Sequence, residues 1–357
     1  MSDAGAHSRP LAELRGVDAA QFGGKSASLG ELIAAGIPVP PGFALSTTGF
    51  GAFVEEAGLA GRISLAVADL APEDLDRVNA VSSAISEGMR SAPVPESVRA
   101  EVARRYAELS ADADPPVAVR SSALGEDSQD ATFAGQQETY LWVRGAEHVC
   151  DAVRDCWVSL YSQPAISYRA RLGRSWAQAP AMGVTVQLMV DAEVSGVMFT
   201  CSPLTGDPSV VAINASWGLG LAIVGGEVTP DDFLLSKVTG EVIRAQVSHK
   251  DVQYVPDERG SGAVRAEVPV ERRDVACLDS DALASLVELG RRVEHHFGGH
   301  QDVEWAIARG STARDGLFAV QARPVTAIAR PKAAAPPASA MALVMSTFGA
   351  GRAHGSQ

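Results

Sequence analysis

Apolar residues recur at helical spacing over much of the first half of the chain. After about residue 183 they gather into short, closely spaced runs instead. Residues 25–35 read as a helix with Leu29, Leu32 and Ile33 towards one side and Gly36 as its stop signal. The IPVPPGFAL stretch that follows is extended or turn-like, because Pro38, Pro40 and Pro41 each restrict the residue before them. Helical patterns return at 73–89 and 96–109, strand-like runs stand at 117–121 and 139–143, and a long helix interrupted near Pro164 fits 147–171. Beyond 183 come the strand candidates VTVQLMV, SGVMFT, VVAINA, FLLSK and EVIRAQV, separated by Gly, Pro and Asp. A helix at 281–297 carries Leu283, Leu286, Val287, Val293 and Phe297, and two last strands, 302–308 and 317–323, flank the polar RGSTARDG. The pattern predicts an α+β protein with a mixed lobe over 1–182, a strand-rich lobe over 183–328 and a Pro/Ala-rich tail over 329–357.

Composition narrows the partners. A formal net charge of −13 on 357 residues argues against a nucleic-acid backbone or an anionic membrane as the main partner. Residues 208–226 carry no charge, but Pro208, Asn214, Ser216 and four glycines make them a poor membrane span. The four cysteines form no CxxC pair and the N-terminus lacks the basic start and apolar run of a signal peptide, so a soluble cytoplasmic protein with reduced thiols is expected. Of the 30 basic residues only four are lysines, and Lys25 is the sole lysine before position 237. A chain that otherwise writes Arg for positive charge marks, at Lys25, a place for a compact ammonium.

Three segments could carry chemistry. GGKS at 23–26 resembles the end of a Walker A loop, but Ala19 stands where that motif needs glycine. What remains is a Gly-Gly turn opening a helix with Lys25 in its first turn, an arrangement suited to phosphate or simply an exposed turn. Arg120 ends the run VAVRS and precedes a polar stretch from Ser121 to Gln137; it offers a bidentate contact to phosphate or a structural ion pair. In the last two strands, pairing Ala308 with Leu317 sets Glu304 opposite Gln321 and Asp302 opposite Arg323, all on one face. That face offers hard oxygen ligands for Mg²⁺ beside a cation, or a plain polar hairpin surface. Two further patterns are set aside: WGLGLAIVGG has Ile223 where a dinucleotide fingerprint needs its third glycine, and His295 and His296 are adjacent on a helix and cannot share a face. Gln187 is a lone polar residue in an apolar strand, satisfied in a core or placed at a cleft.

Taken in order, GGKSASLGEL, IPVPPGF, VRSSALGEDS, FAGQQETYLWV, VQLMV, SGVMFTCSP, WGLG, GGEVTPDDF, DVEWA and VQARP resemble the nucleotide-binding region of the phosphoenolpyruvate synthase and pyruvate phosphate dikinase family, across residues 11–328. The resemblance implies an ATP-grasp-type fold of two lobes with the nucleotide in the cleft between them. By motif position it implies ATP contacts from Lys25, Arg120, Gly135, Thr139, Gln187, Gln321 and Arg323, with Lys25, Arg120 and Arg323 as the catalytic cations. Glu304 and Gln321 would hold Mg²⁺. In such proteins a diphosphoryl group passes from Mg-ATP to a histidine on a separate mobile domain and AMP is released. Leu221 departs from the pattern, since a Glu usually follows GLG. None of the histidines, at 7, 148, 249, 295, 296, 300 and 354, lies in a TCHA-type context. The expectation is an ATP-binding subunit that works with a separate chain carrying the phosphorylatable histidine and the acceptor site. An ATP-sensing module without turnover, or a kinase acting directly on a small molecule, are the alternatives.

Overall fold

The structure is a computed structural model and describes residues 7–68, 70–71, 73–109, 114–123, 138–171, 181–257, 260 and 262–325. The strands, in chain order, are β1 (Ser8–Pro10), β2 (Gly42–Leu45), β3 (Val117–Ala123), β4 (Thr139–Val143), β5 (Met182–Leu188), β6 (Ala192–Phe199), β7 (Val210–Trp217), β8 (Asp231–Ser236), β9 (Val242–Gln246), β10 (Val252–Pro256), β11 (Ala263–Glu267), β12 (Gln301–Ala308) and β13 (Leu317–Pro324). They form a five-stranded sheet ordered β1-β2-β5-β3-β4, a six-stranded sheet ordered β13-β12-β6-β7-β8-β9, and the β10-β11 hairpin. All ladders are antiparallel. The mixture of helix and sheet bears out the α+β expectation. The compositional change at 183 falls at the start of β5, which belongs to the first sheet; the second sheet begins at Ala192.

Each sheet has one face covered by helices, and strand alternation decides which residues go there. In the first sheet Val117 and Val119 of β3 and Val184 and Val186 of β5 join Phe50, Phe53, Ile85, Met89, Val153 and Trp157 in one core. Its helices include Leu75–Ser91, started by Asp74 accepting the Arg77 N–H, and Glu96–Glu108. The expected interruption near Pro164 separates Ala146–Ser159 from Gln163–Arg171. The second sheet buries Val303, Trp305, Ile213, Ala215 and Phe233 against Leu283, Leu286, Val287 and Val293 of helix Ser280–Phe297. Asp279 caps that helix through the Ala282 N–H, and Gly298 ends it at φ +68°.

Helix Gly24–Ala34 joins the two halves. Leu29 and Leu32 lie in the second core, where full burial of each contributes roughly 1.5–3 kcal/mol. Its N-terminus is instead pressed against β3 and β5 of the first sheet, through Ser26 Oγ and Thr185 Oγ1 at 2.7 Å. Sequence periodicity missed Thr47–Glu56, Leu59–Val67 and the β10-β11 hairpin, which are short and draw their order from packing. No helix among the described residues is long and apolar enough to cross a membrane. The four cysteines are buried free thiols, and burial pushes Cys150 up to about 11.

Candidate functional site

The faces turned away from the two helical layers approach each other at Arg120, which reaches Val320 and Glu304. On β3 and β5 alternation leaves Arg120 and Ser122, with Thr185 and Gln187, on the side opposite the Val119 and Val186 core. Thr139, Arg120 and Thr185 form one row across β4, β3 and β5. On the second sheet Val303 and Trp305 point into the helical core, so Asp302 and Glu304 of β12 stand on the other face. Gln321 and Arg323 are opposite them on β13.

The Gly-Gly turn exists because of how closely it approaches β3. Gly23 sits at φ +83°, and a Cβ there would lie 2.1 Å from Ser122 Oγ and 2.2 Å from its carbonyl oxygen. Only glycine satisfies both the backbone and the space. The turn delivers the first residues of helix Gly24–Ala34 to the end of β3, where Ser26 N–H reaches Ser122 Oγ at 3.4 Å and Lys25 Nζ donates to the Ser121 carbonyl at 3.3 Å. Further along, Ser28 Oγ donates to the Ala322 carbonyl at 2.7 Å, tying the helix to β13.

The β12-β13 register differs from the expectation at its loop end and agrees with it at the site. Ile307, not Ala308, opposes Leu317, and Trp305 opposes Ala319. A β-bulge between Glu304 and Trp305 then leaves Val320 unpaired and restores Glu304 opposite Gln321 and Asp302 opposite Arg323. The bulge also has a use, since the Val320 carbonyl accepts a bond from Arg120 Nη1 at 3.1 Å. Arg120 Nη2 lies 3.7 Å from Glu304 Oε2, with the Arg120 side chain 14% exposed and its Nε without a partner among the described residues. Asp302 takes Arg323 Nε and Nη2, both at 2.8 Å, on one oxygen. Burial nevertheless pushes the Asp302 carboxyl above its usual value, outweighing Arg323, and Glu304 adds to the rise.

Lys25, Arg120, Glu304, Gln321 and Arg323, from three distant segments, are thus brought to one junction. Thr139 is exposed at the start of β4, in the row of Arg120. Gln187 is 2% exposed and donates through Nε2 to the Pro40 carbonyl at 3.2 Å, so it is held structurally on the cleft face. Gly135 lies outside the described residues. Sequence reasoning passed over Ser26, Ser122 and Thr185, although alternation along VTVQL carried the signal for Thr185. It also passed over Trp142, which sits at the apolar end of the junction with Ala192, Leu219 and Ala306.

Chemically, an ammonium at a helix N-terminus and two guanidiniums stand with two carboxylates, Asp302 and Glu304, and an amide. Such a set suits a polyanion with a divalent cation. The donor types at Glu304 and Gln321 fit Mg²⁺, a hard ion that prefers oxygen. Among the described residues no group of three or more His, Cys, Asp or Glu could hold a metal ion.

The chain matches the family described as pyruvate phosphate dikinase, AMP/ATP-binding domain, over residues 19–342. It is 40% identical over 319 residues to a probable phosphoenolpyruvate synthase of Methanothermobacter thermautotrophicus, covering 88% of this chain and 45% of the relative. The probable phosphoenolpyruvate synthase of Methanocaldococcus jannaschii is 37% identical over 325 residues, 90% of this chain and 27% of that protein. For the phosphoenolpyruvate synthase of Aeropyrum pernix the identity is 38% over 340 residues, with 87% and 41% covered. The chain therefore spans less than half the length of these relatives. With this extent of match, the chain belongs to the pyruvate phosphate dikinase AMP/ATP-binding domain family.

Proposed function

We propose that this chain is the ATP-binding part of a phosphoenolpyruvate synthase-type phosphotransferase, with an ATP-grasp arrangement in which the nucleotide lies between the two sheets. The observation that supports the reading is the placement of Lys25 at the end of β3, of Arg120 3.7 Å from Glu304, and of Arg323 on Asp302 in the strand pair that also sets Glu304 opposite Gln321. In the reaction proposed, the bond between the α- and β-phosphoryl groups breaks, the diphosphoryl group passes to an imidazole nitrogen on a partner chain, and AMP leaves. The three cations would stabilise charge on the phosphoryl oxygens during transfer, which asks little covalent chemistry of the protein. Lys25 would act from the helix N-terminus, where the backbone dipole also favours an anion. Arg120, held by the Val320 carbonyl, would present a guanidinium oriented in advance. Glu304 and Gln321 would hold Mg²⁺, which supplies neutralisation of phosphate charge when bound. The setting proposed is the cytoplasm, with neither nucleic acid nor membrane as partner.

Product analysis with Mg-ATP tests this. AMP formed only when a protein bearing an acceptor histidine is added supports the reading. Thermal stabilisation by ATP without turnover under any pairing favours the sensing module, and ADP formed with a small molecule alone favours a direct kinase. Replacing Glu304 by Ala should abolish AMP release; unchanged release would remove the metal assignment.

A further inference from the structure

Trp142 is buried at 6% exposure yet has φ +59°, the left-handed region that side-chain-bearing residues rarely occupy. Such a conformation persists where the surroundings over-determine it, and it points to a role. The indole packs with Ala192, Leu219 and Ala306, against partly buried Met189, Val190, Tyr254, Ala263 and Val320. These come from the connection between the sheets, the second sheet and its β7-β8 connection, and the β10-β11 hairpin. Val320 links this cluster to the polar half of the site, since its carbonyl receives Arg120.

Among the interactions of the described residues, those of the hairpin fall unequally on the two sides. Towards the second sheet, Leu219 N–H donates to the Tyr254 carbonyl at 2.9 Å and Tyr254 O–H donates to Glu227 at 2.7 Å. Arg265 also pairs with Glu227 at 3.5 Å. The approach is so close that a Cβ on Gly218, at φ +75°, would lie 2.4 Å from the Tyr254 oxygen. Towards the first sheet, the backbone bond found among the described residues is Gly262 N–H to the Trp142 carbonyl, at 3.0 Å, reinforced by the indole itself. The unusual φ sets that carbonyl and that side chain together.

We propose that Trp142 is a positioning residue of the nucleotide site: it attaches the β10-β11 hairpin to the first sheet across the apolar end of the cleft, and nucleotide release requires this attachment to open. The proposal rests on the ATP-binding reading above. Because the hairpin is fixed to the second sheet at several points, separation of the sheets would part it from Trp142 rather than from Gly218 and Leu219.

The test combines stopped-flow release of N-methylanthraniloyl-ATP with amide hydrogen exchange on the whole chain. Trp142→Ala should release the nucleotide about tenfold faster than wild type, and Trp142→Phe, which keeps an aromatic ring, should stay within about threefold. In Trp142→Ala the amides of 252–255 and 263–267 should lose about tenfold in protection while those of β5 to β7 keep theirs. If Trp142→Ala does not fold, Trp142→Leu is read in the same way. Unchanged release and unchanged hairpin protection would overturn the proposal. So would faster release with the hairpin still protected, because Trp142 would then act on the nucleotide directly. A wild-type protein that takes up no nucleotide overturns the ATP reading and the release half with it; hairpin protection then decides the attachment alone.

Discussion

Gly23 and Lys25 stand two residues apart and make opposite demands on a substitution. Gly23→Ala adds a methyl where 2.1 Å separates it from Ser122 Oγ, at a φ that alanine resists. Relief requires the helix N-terminus to move away from β3, and the cost is about 2–4 kcal/mol. Urea unfolding should show this as a lower midpoint at constant slope; a midpoint within error of wild type would mean the turn adapts without cost. Lys25→Met keeps the stem and removes the charge of a half-buried ammonium that donates to the Ser121 carbonyl at 3.3 Å. Its expected loss is in ATP affinity, about 10- to 100-fold, the worth of one charge-assisted contact. Calorimetric titration beside the same urea experiment separates the two effects, and equal ATP affinity in Lys25→Met would remove Lys25 from the site.

At the scale of elements, helix Gly24–Ala34 is held at both ends. Near its C-terminal half Glu31 accepts Gly16 N–H at 2.8 Å and meets His296 Nε2 at 3.0 Å on helix Ser280–Phe297, while Arg292 donates to the Gly36 carbonyl at 2.7 Å. The Gly16 bond, with His296, holds the Glu31 carboxyl below its ordinary value against the opposing effect of burial. A depressed carboxyl stabilises the folded state above its unfolded value of 4.5, and the contribution is lost as pH falls through the folded value. Wild type should therefore lose stability on acidification below that pH more steeply than Glu31→Gln, by urea midpoints taken across the range; parallel curves would dismiss the clamp. The hairpin β12-β13 shows what a sequence discloses at this scale. Alternation in DVEWA and VQARP placed Glu304 with Gln321, because period-two patterning survives in both strands. The bulge at Val320 left no mark, since an extra residue in an apolar run does not disturb composition. The Trp142 backbone was equally hidden, because positive φ is legible only where glycine announces it. The long helices were legible through period and caps, whereas Thr47–Glu56 and Leu59–Val67 were too short for their period to stand out.

For the whole molecule, sequence order and packing divide the chain differently. The helical core of the first sheet draws every buried member from residues 43–186. The second core is not built from the second half alone, since Leu11, Leu14, Phe22, Leu29, Leu32, Ile37 and Ala44 lie in it with the residues of β6, β7, β8, β12 and β13. The N-terminal segment thus completes a core that begins almost 150 positions later and carries Lys25 to the junction as it does so. This explains how a chain of net charge −13 can present a local cluster of cations: the cluster is assembled by packing from segments whose own surroundings are neutral or acidic. It also predicts that residues 189–328 expressed alone will not fold cooperatively, because seven buried apolar partners are missing and each large one is worth roughly 1.5–3 kcal/mol against a total stability of about 5–15 kcal/mol. Circular dichroism should show no sharp thermal transition for that fragment, and a peptide spanning 7–45 should restore one when added in trans. A sharp transition in the fragment by itself would show that the second sheet closes its core without the N-terminal segment, and the helix bearing Lys25 would then be an appendage rather than a joint.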